Sequence, residues 1–463
     1  MNRRFRAVAA AYAASAYGNY LNLIALSLFS YEVTGTAFGV GAVAALRLAS
    51  GFAAGLLAGA LSTRATRRTV MIGADAAQGL VMGVMALWAE DTPLWLLAGA
   101  VVVLGAGNTF FTVSLRSAIP VMVGEENRAR ANGVLVTGRS LGTVLGFASA
   151  APVIGYGGYA LAFALNGLSF LVSAAALLVL RPSTDVEKQP SADSEKQPST
   201  GPEQVSADPD QPSAGPGAGR KAVSPPGGAD GGRLKGVVAG VPLLLLGMVL
   251  LRGIDALASS SHNVALPVVA HATRPAEPAV VMAQFWTAWA VGTVLAHLVL
   301  RRRQGEGAWG ERSFALGTCA MSLSFVAAFL GLPAIALVAA AASAGFADGW
   351  TEIVYTSRLQ AVPDRERGRL FGMSAVAEQS GFALGMVAAA AALETLPALA
   401  VVAVFHGVAV CGALVLLGAA VRRHGATGSR PTAAGGDAEE EDSHGTRTGA
   451  SGLPGSRAGP HRE

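Results

Sequence analysis

The chain has 463 residues, of which 52% are hydrophobic and only 14% are charged, and its mean hydropathy is +0.46. Soluble globular domains carry roughly 25% charged residues, so this composition argues against a large soluble enzyme. Two cysteines, 6% aromatic residues and a net charge of +4 indicate no disulfide framework, no metal-ligand spacing and no nucleic-acid surface. We therefore interpret the sequence as a polytopic membrane protein whose partners are lipid and small molecules.

Apolar runs long enough to cross a bilayer recur along the whole chain. A helix needs about 20 mostly apolar residues to cross the hydrocarbon core. The first run continues past Ala14-Ser15-Ala16, which argues against a cleaved signal peptide. Twelve spans are predicted, at residues 5–29, 37–61, 69–89, 94–116, 129–155, 159–180, 236–260, 278–300, 312–331, 333–357, 368–393 and 398–421.

Arginines mark alternate loops between these spans. They cluster before span 1, after spans 2, 4, 6, 8 and 10, and after span 12. The other loops contain one cation, Arg274, among the acids Glu32, Glu90, Asp91, Glu277 and Glu394. Because cytoplasmic loops hold the excess of Lys and Arg, this pattern predicts a multi-pass protein of the cytoplasmic membrane with both termini cytoplasmic.

The order of segments predicts two similar halves. Residues 1–180 form a predicted six-helix bundle and residues 236–421 form a second one. Residues 181–235 and 422–463 are rich in Pro, Ser, Gly and charged residues, which predicts a disordered cytoplasmic linker and tail. The segment Ser114 to Pro120 is echoed by Ser357 to Pro363, which suggests a duplication of the kind found in transporters.

One motif carries a family resemblance. The segment Gly59 to Arg68, GALSTRATRR, is similar to the helix 2/3 signature of the major facilitator superfamily, with Thr63 in place of the usual Asp and Thr66 in place of Gly. The segment Gln360 to Arg369, QAVPDRERGR, resembles the drug and siderophore exporters of that family, such as macrolide-efflux and enterobactin-exporter proteins. Gly146-Phe147 stands where the antiporter signature has Gly-Pro.

The resemblance covers about residues 5–421 without the linker, and it implies an all-α fold of twelve transmembrane helices in two pseudo-symmetric bundles. It also implies a monomeric secondary transporter that exports a small amphiphilic molecule, such as a drug, siderophore or secondary metabolite, in exchange for protons. No Walker motif is present, and we expect neither a cofactor nor an enzymatic activity. The alternatives are a facilitator or importer of a polar metabolite, and a non-transporting membrane receptor or scaffold.

Glycines at four-residue spacing lie on three predicted helices. Small residues at this spacing let helix backbones approach closely. The family fold would place helices 2 and 5 against helices 11 and 8, so we expect these ridges to be the sliding surfaces between the halves, the alternative being static packing. The ridges are Gly51, Gly55 and Gly59; Gly138, Gly142 and Gly146; and Gly381 with Gly385.

Polar residues at membrane depth are the candidate site residues, because their burial is costly and they face a cavity or a partner. The substrate-binding candidates are Asn19, Asn108, Asp255, Trp286 and Asp348. The proton-coupling or gating candidates are Arg47, Asp75, Arg139, Arg252, Glu352 and Glu378, and the helix 2/3 loop motif contributes Gly59, Arg64, Arg67 and Arg68.

Spacing suggests how these charges pair. Arg252 and Asp255 are three residues apart and share a helix face, and Asp348 and Glu352 are four apart. Arg47 has no acid within one helical turn, so we hypothesise that it approaches Glu378 across the two halves in at least one conformation; the alternative is a cavity-lining or structural cation.

Three further residues have a structural alternative. Asp75 is expected to anchor the arginines of the helix 2/3 loop rather than to bind substrate. His297 and His406 are expected to be lone structural histidines.

Overall fold

The computed structural model describes residues 3–61, 65–124, 126–182, 184, 242–301 and 310–428. Within these ranges all regular structure is helical and forms eleven continuous runs, nine of them long and apolar enough to cross a membrane. We number the run Arg128–Leu180 as two helices, α5 (128–156) and α6 (159–180). The others are α1 (Arg3–Thr34), α2 (Ala37–Leu61), α3 (Arg67–Leu87), α4 (Leu94–Val123), α7 (Leu243–Thr273), α8 (Pro278–Arg301), α9 (Glu311–Ala328), α10 (Ala334–Gln360), α11 (Asp364–Leu393) and α12 (Ala398–Gly428).

The run Arg128–Leu180 is broken at two glycines. Gly157 has φ −129° and ψ 17°, and Gly158 has φ 63° and ψ −167°, a backbone conformation that is strained for residues with a Cβ atom. The break falls in the loop predicted between spans 5 and 6. The helical segments in the described ranges are therefore consistent with twelve predicted spans.

Helix α7 differs most from its prediction. The sequence predicts a span that ends at residue 260, yet the helix continues to Thr273 through the polar run Ser259 to Asn263. The hydroxyls of Ser260 and Ser261 donate to the carbonyls of Leu257 and Ala258, both at 2.6 Å. Because these hydroxyls are satisfied by carbonyls of their own helix, they need no water or other partner, and the helix continues through the polar run.

The predicted linker and tail lie mostly outside the described residues, which resume at Pro242 and end at Gly428. The described residues up to Val421 form one compact unit. The division of residues 1–180 and 236–421 into two bundles therefore remains a prediction, which the following contacts support.

Corresponding helices make corresponding contacts in the two halves. Helix α1 packs on α5 and α2 on α4, while α7 packs on α11 and α8 on α10. The crossing of α2 with α4 and the crossing of α8 with α10 each place a glycine against a backbone carbonyl. Gly105 contacts the Arg47 carbonyl, and Gly345 contacts the Trp289 carbonyl. This repetition supports the duplication inferred from the sequence.

The predicted role of the glycine ridges as sliding surfaces is wrong for the described glycines. A Cβ atom on Gly51 would lie 3.3 Å from the Gly105 carbonyl oxygen, and one on Gly142 would lie 2.9 Å from the Tyr17 nitrogen. Gly381 likewise packs against the Gly253 carbonyl. All these neighbours belong to the same half as the glycine. The glycine ridges therefore allow close packing of helices within each half. Gly59 lies in α2, but its surroundings are outside the described residues.

Contacts between the halves concentrate at one end. The acidic end is the end at which Glu32 lies in the last turns of α1 and Glu90 and Glu394 follow α3 and α11; helix α7 also ends here. The opposite end, with Arg68, Arg116 and Arg358, is the basic end. Near the acidic end, Val40 of α2 packs with Val264 of α7 and with Met386 and Ala390 of α11. Phe147 of α5 stacks on Trp286 of α8 with ring centroids 5.7 Å apart.

The halves separate toward the basic end. Here the core divides into two clusters, one around Phe5, Met71 and Phe111 and the other around Phe314 and Tyr355. Between α5 and α8 lies a gap of about 1190 Å³, lined on one side by Val136, Leu141 and Leu145 and on the other by Val291, Leu295 and Leu298. Among the described residues, the structure is thus closed at the acidic end and open at the basic end.

Candidate substrate cavity and charge cluster

A cavity of about 580 Å³ lies where the two halves meet along α2 and α11. Helices α1, α2 and α4 contribute one side, and α7 and α11 the other. Its polar lining includes Arg47, Asn108, Thr109, Asn263 and Gln379; its apolar lining includes Leu23, Phe52, Val264, Phe382 and Met386. A mostly apolar wall with a few polar groups is typical of small-molecule sites.

Arg47 is the charged side chain of this cavity lining. Its position is set by the glycine crossing, since Gly105 of α4 admits the Arg47 backbone and Ser50 donates a 2.8 Å bond to the Arg47 carbonyl. Among the described residues, no carboxylate lies within 4.0 Å of its guanidinium and no hydrogen bond holds it. The guanidinium is therefore left for the cavity.

A charge cluster lies in the second half, on α7, α10 and α11. Arg252 Nη2 donates to Glu352 Oε2 at 2.6 Å and lies 3.6 Å from Glu378 Oε1, while its Nη1 lies 3.6 Å from Asp255 Oδ2. The side chains of Arg252 and Asp255 are 12% and 7% exposed, whereas those of Glu352 and Glu378 are 49% and 44% exposed. A buried ion pair is thus flanked by two accessible carboxylates.

Two more side chains complete the cluster. Asp348 lies one helical turn before Glu352 on α10 and adds a fourth carboxylate to the field of Arg252. Tyr355 places its ring 5.8 Å from the Arg252 guanidinium carbon and donates a 2.7 Å hydrogen bond to Ser374 of α11. One guanidinium thereby faces four carboxyl groups and one aromatic ring.

The structure joins some predicted charges and separates others. The Arg252–Asp255 pair is formed, and Asp348 and Glu352 lie together beside it. The predicted approach of Arg47 to Glu378 is not formed in this structure, because Glu378 faces Arg252. Glu352 also pairs with Arg252, whereas Arg358 binds Glu311 at 2.8 Å.

The remaining candidates occupy other surroundings. Arg139 Nε donates to the Tyr20 hydroxyl at 3.0 Å within the first half. Asn108 lines the Arg47 cavity, whereas Asn19 has a buried amide oxygen with no hydrogen-bond partner among the described residues. Trp286 is buried between Phe147, Phe285 and His262, away from that cavity.

The helix 2/3 motif binds the end of α6. Arg67 donates to the Thr184 carbonyl, and Arg68 donates to those of Leu177 and Leu178, all at 2.9 Å. Thr66, which replaces the family glycine, accepts a 3.2 Å bond from the Thr69 nitrogen and caps α3. Asp75 is buried deeper in α3, beside Ser173 of α6. Arg64 lies outside the described residues.

The expectation of a lone His406 is wrong. Its Nε2 atom lies 3.2 Å from Nδ1 of His262, and both rings are buried. His262 also stacks on Phe325 with centroids 3.8 Å apart. The pair joins α7 to α12 across 144 positions of sequence, so helical spacing could not reveal it. His297 instead bonds through Nδ1 to the Thr293 carbonyl at 2.8 Å.

A set of polar contacts between helices closes the acidic end, and no spacing within one helix indicates it. Glu32 of α1 accepts a 2.6 Å hydrogen bond from the Tyr159 hydroxyl and lies 3.5 Å from His271 Nε2 of α7. Glu394 accepts a 2.7 Å bond from the Phe38 nitrogen. Glu32 and Glu394 thus connect the halves at this end, whereas in the sequence they indicate only on which side of the membrane the loops lie.

Comparison with known proteins identifies the family. The family model described as Major Facilitator Superfamily matches residues 8–386 of this chain. The chain belongs to the Major Facilitator Superfamily. It is therefore a multi-pass membrane protein of a transporter family rather than an enzyme, and it has the all-α fold that the sequence predicts.

Solved structures agree with that membership. This superfamily member resembles the POT family transporter PepTSo at 12% identity and a TM-score of 0.65, covering 93% of this chain and 99% of that one. It resembles the D-xylose-proton symporter at 13% identity and a TM-score of 0.61, covering 89% and 96%. At such identity the likeness shows the fold. No curated protein matches the sequence.

Proposed function

We propose that this superfamily member is a proton-coupled secondary transporter that exports a small amphiphilic molecule by alternating access. The observation that carries the proposal is the charge cluster around Arg252. An excess of carboxyl groups over cations in a partly dehydrated site is chemically suited to bind and release a proton.

The cluster is built to link protonation to helix positions. Its members come from three helices, and two of its carboxylates, Glu352 and Glu378, are accessible. Protonation of either one removes a partner of Arg252 and weakens the attraction between α7 and α10 or α11. A proton that binds with different affinity to two conformations shifts the balance between them.

The export direction rests on the resemblance of the segment Gln360 to Arg369 to drug and siderophore exporters. Arg68, Arg116 and Arg358 lie at the end where the halves separate, and the bias of Lys and Arg toward the cytoplasm makes that end cytoplasmic in our proposal. In an exporter, a cavity open to this side loads substrate from inside the cell. Proton coupling itself has a precedent in the D-xylose-proton symporter, which shares the fold.

Flux measurements in liposomes test the proposal. The purified chain is reconstituted, and the movement of dansyl amphiphiles with anionic, neutral or cationic head groups is followed with and without a pH gradient. We expect a gradient to accelerate movement of at least one probe against the proton flow. In Glu378→Gln the gradient should have no effect, while exchange of labelled for unlabelled probe continues.

The matched control is Glu90→Gln, an acid at the far end of the first half, which should keep the response to the gradient. Wild-type flux that ignores the gradient would contradict proton coupling. Accumulation in the direction of proton flow would contradict export and identify a symporter.

A further inference from the structure

We infer that the cavity at Arg47 binds an oxyanion, such as a carboxylate, so that the transported molecule is an organic anion with an apolar body. The inference rests on the proposed function, because it takes this cavity to be the transport site. Three observations carry it: the unmatched charge, the free donors and the apolar wall.

The first observation is the charge. The lining contains one arginine and no acidic residue among the described side chains. Arg252, by contrast, faces three carboxylates within 4.0 Å. A cation at membrane depth is costly unless an anion or a polar shell compensates it. Because no described residue supplies a carboxylate to Arg47 in this open state, a bound anion would complete the site.

The second observation concerns hydrogen-bond donors. The hydroxyls of Ser27, Ser30 and Thr109 line the cavity, but each donates to a carbonyl one turn earlier, at 2.7, 2.6 and 3.1 Å. Asn263 likewise donates to Ser259 at 2.8 Å. The donors left for a ligand are those of Arg47, Asn108 and Gln379.

Such a donor set selects a particular head group. A guanidinium and two amide groups offer N–H bonds, and a charged acceptor makes the stronger hydrogen bonds with them. A carboxylate or another oxyanion has acceptor oxygens and no need of donors. A cationic head group would find no carboxylate in the described lining.

The third observation is the remainder of the wall. Leu26, Val43 and Phe52 lie in the first half, and Phe382 and Met386 lie in the second. The cavity volume of about 580 Å³ is within the range of drug-sized ligand sites. A ligand whose oxyanion meets Arg47 therefore places its apolar body between the halves, where it contacts both.

Equilibrium binding to the full chain in lipid nanodiscs tests the inference. The probes are dansylglycine, dansylglycinamide and dansylethylenediamine, which share a fluorophore and carry an anionic, a neutral and a cationic head group. We expect dansylglycine to bind roughly tenfold more tightly than the amide, since a charge-assisted hydrogen bond replaces a neutral one. Arg47→Gln should lower the affinity for dansylglycine to the affinity for dansylglycinamide.

Two further variants make the result specific. Arg312→Gln removes an arginine of the other half that bonds to the Ala420 carbonyl, and it should keep the preference for the anion. Arg47→Lys keeps the charge without the planar fork, and it should weaken dansylglycine more than the amide. Unchanged amide affinity in Arg47→Gln reports that the cavity is still folded.

The inference is overturned if dansylglycine fails to bind, if the three probes bind equally, or if Arg47→Gln keeps the preference. Should Arg47→Gln not fold, equal weakening of both probes by Arg47→Lys would overturn it. No gradient is applied, so the result does not depend on whether transport is proton-coupled.

Discussion

At the residue scale, the three arginines inside the helices differ in what meets their charge. Arg252 faces carboxylates, Arg139 bonds to the Tyr20 hydroxyl, and Arg47 faces a cavity. In the first arrangement carboxylates outnumber the cation, and in the last the cation is left for a ligand. The same residue type therefore serves coupling in one half and binding in the other, in our proposals.

The buried pair Arg252–Asp255 gives a stability prediction. Arg252→Gln leaves the Asp255 carboxylate buried without its cation, so the free energy of unfolding should fall by roughly 1–3 kcal/mol and the unfolding temperature in detergent should fall with it. Asp255→Asn added to Arg252→Gln should recover most of that loss, because a neutral amide then replaces the buried carboxylate. Thermal unfolding curves measure both, and a double variant no more stable than Arg252→Gln would refute the pairing.

Residue pairs within one helix were accessible from the sequence, and pairs between helices were not. The spacing of three residues predicts the Arg252–Asp255 contact, and the spacing of four predicts that Asp348 and Glu352 share a face. The His262–His406 pair depends on how α7 packs on α12. Glu378 was predicted to need a cation, but the packing of α11 on α7 decides that the cation is Arg252 here.

At the element scale, the glycines decide how closely the helices of each half approach. The four-residue spacing correctly indicates tight packing, but spacing on one helix does not say which neighbour it serves. The ridge of α11 packs on α7 of the same half rather than on α2. The end of helix α7 was equally hard to predict from the sequence. The hydroxyls of Ser260 and Ser261 donate to carbonyls of the same helix, so the helix continues through this polar run.

Two glycines on α11 make a matched pair for testing this packing. Gly381→Ala would place its Cβ against the Gly253 carbonyl, whereas Gly372→Ala meets nothing within 4 Å. We expect Gly381→Ala to lower the unfolding temperature clearly. Gly372→Ala should be neutral or slightly stabilising, since alanine favours a helix by about 1 kcal/mol. Equal effects of the two substitutions on thermal unfolding would contradict this account.

At the scale of the whole molecule, the helices of the described ranges are packed together at the acidic end and apart at the basic end. The alternation of arginine-rich and acidic loops predicts which helix ends lie on the same side of the membrane, because cytoplasmic loops carry the excess of Lys and Arg. It does not anticipate which end is closed, since an alternating-access protein packs the same side chains in both states. The contacts of Glu32, Glu394, Phe147 and Val40 decide that the acidic end is the closed one here.

The contact between Glu32 and His271 predicts how the closed end opens. His271 Nδ1 lies 2.8 Å from the Pro267 carbonyl, which orients the ring so that Nε2 lies 3.5 Å from Glu32 Oε1 of α1. Glu32→Gln removes the carboxylate from this contact between the halves and should lengthen the distance between spin labels at positions 90 and 395, measured by double electron–electron resonance.

The control for this measurement is Arg274→Gln, which breaks an exposed pair whose atoms lie 3.9 Å apart. Such pairs contribute little, so the label distances should not change. A distribution in Glu32→Gln that matches the wild type would show that Glu32 does not hold the acidic end closed.

The most direct test of proton coupling through the Arg252 cluster is proton movement driven by substrate. Liposomes containing the chain are loaded with the pH dye pyranine, and a transported dansyl probe is added on one side with no initial pH gradient. We predict a pH change in the wild type that is absent in the double variant Glu352→Gln/Glu378→Gln. Probe flux without any pH change in the wild type, or an undiminished change in the double variant, would contradict the account.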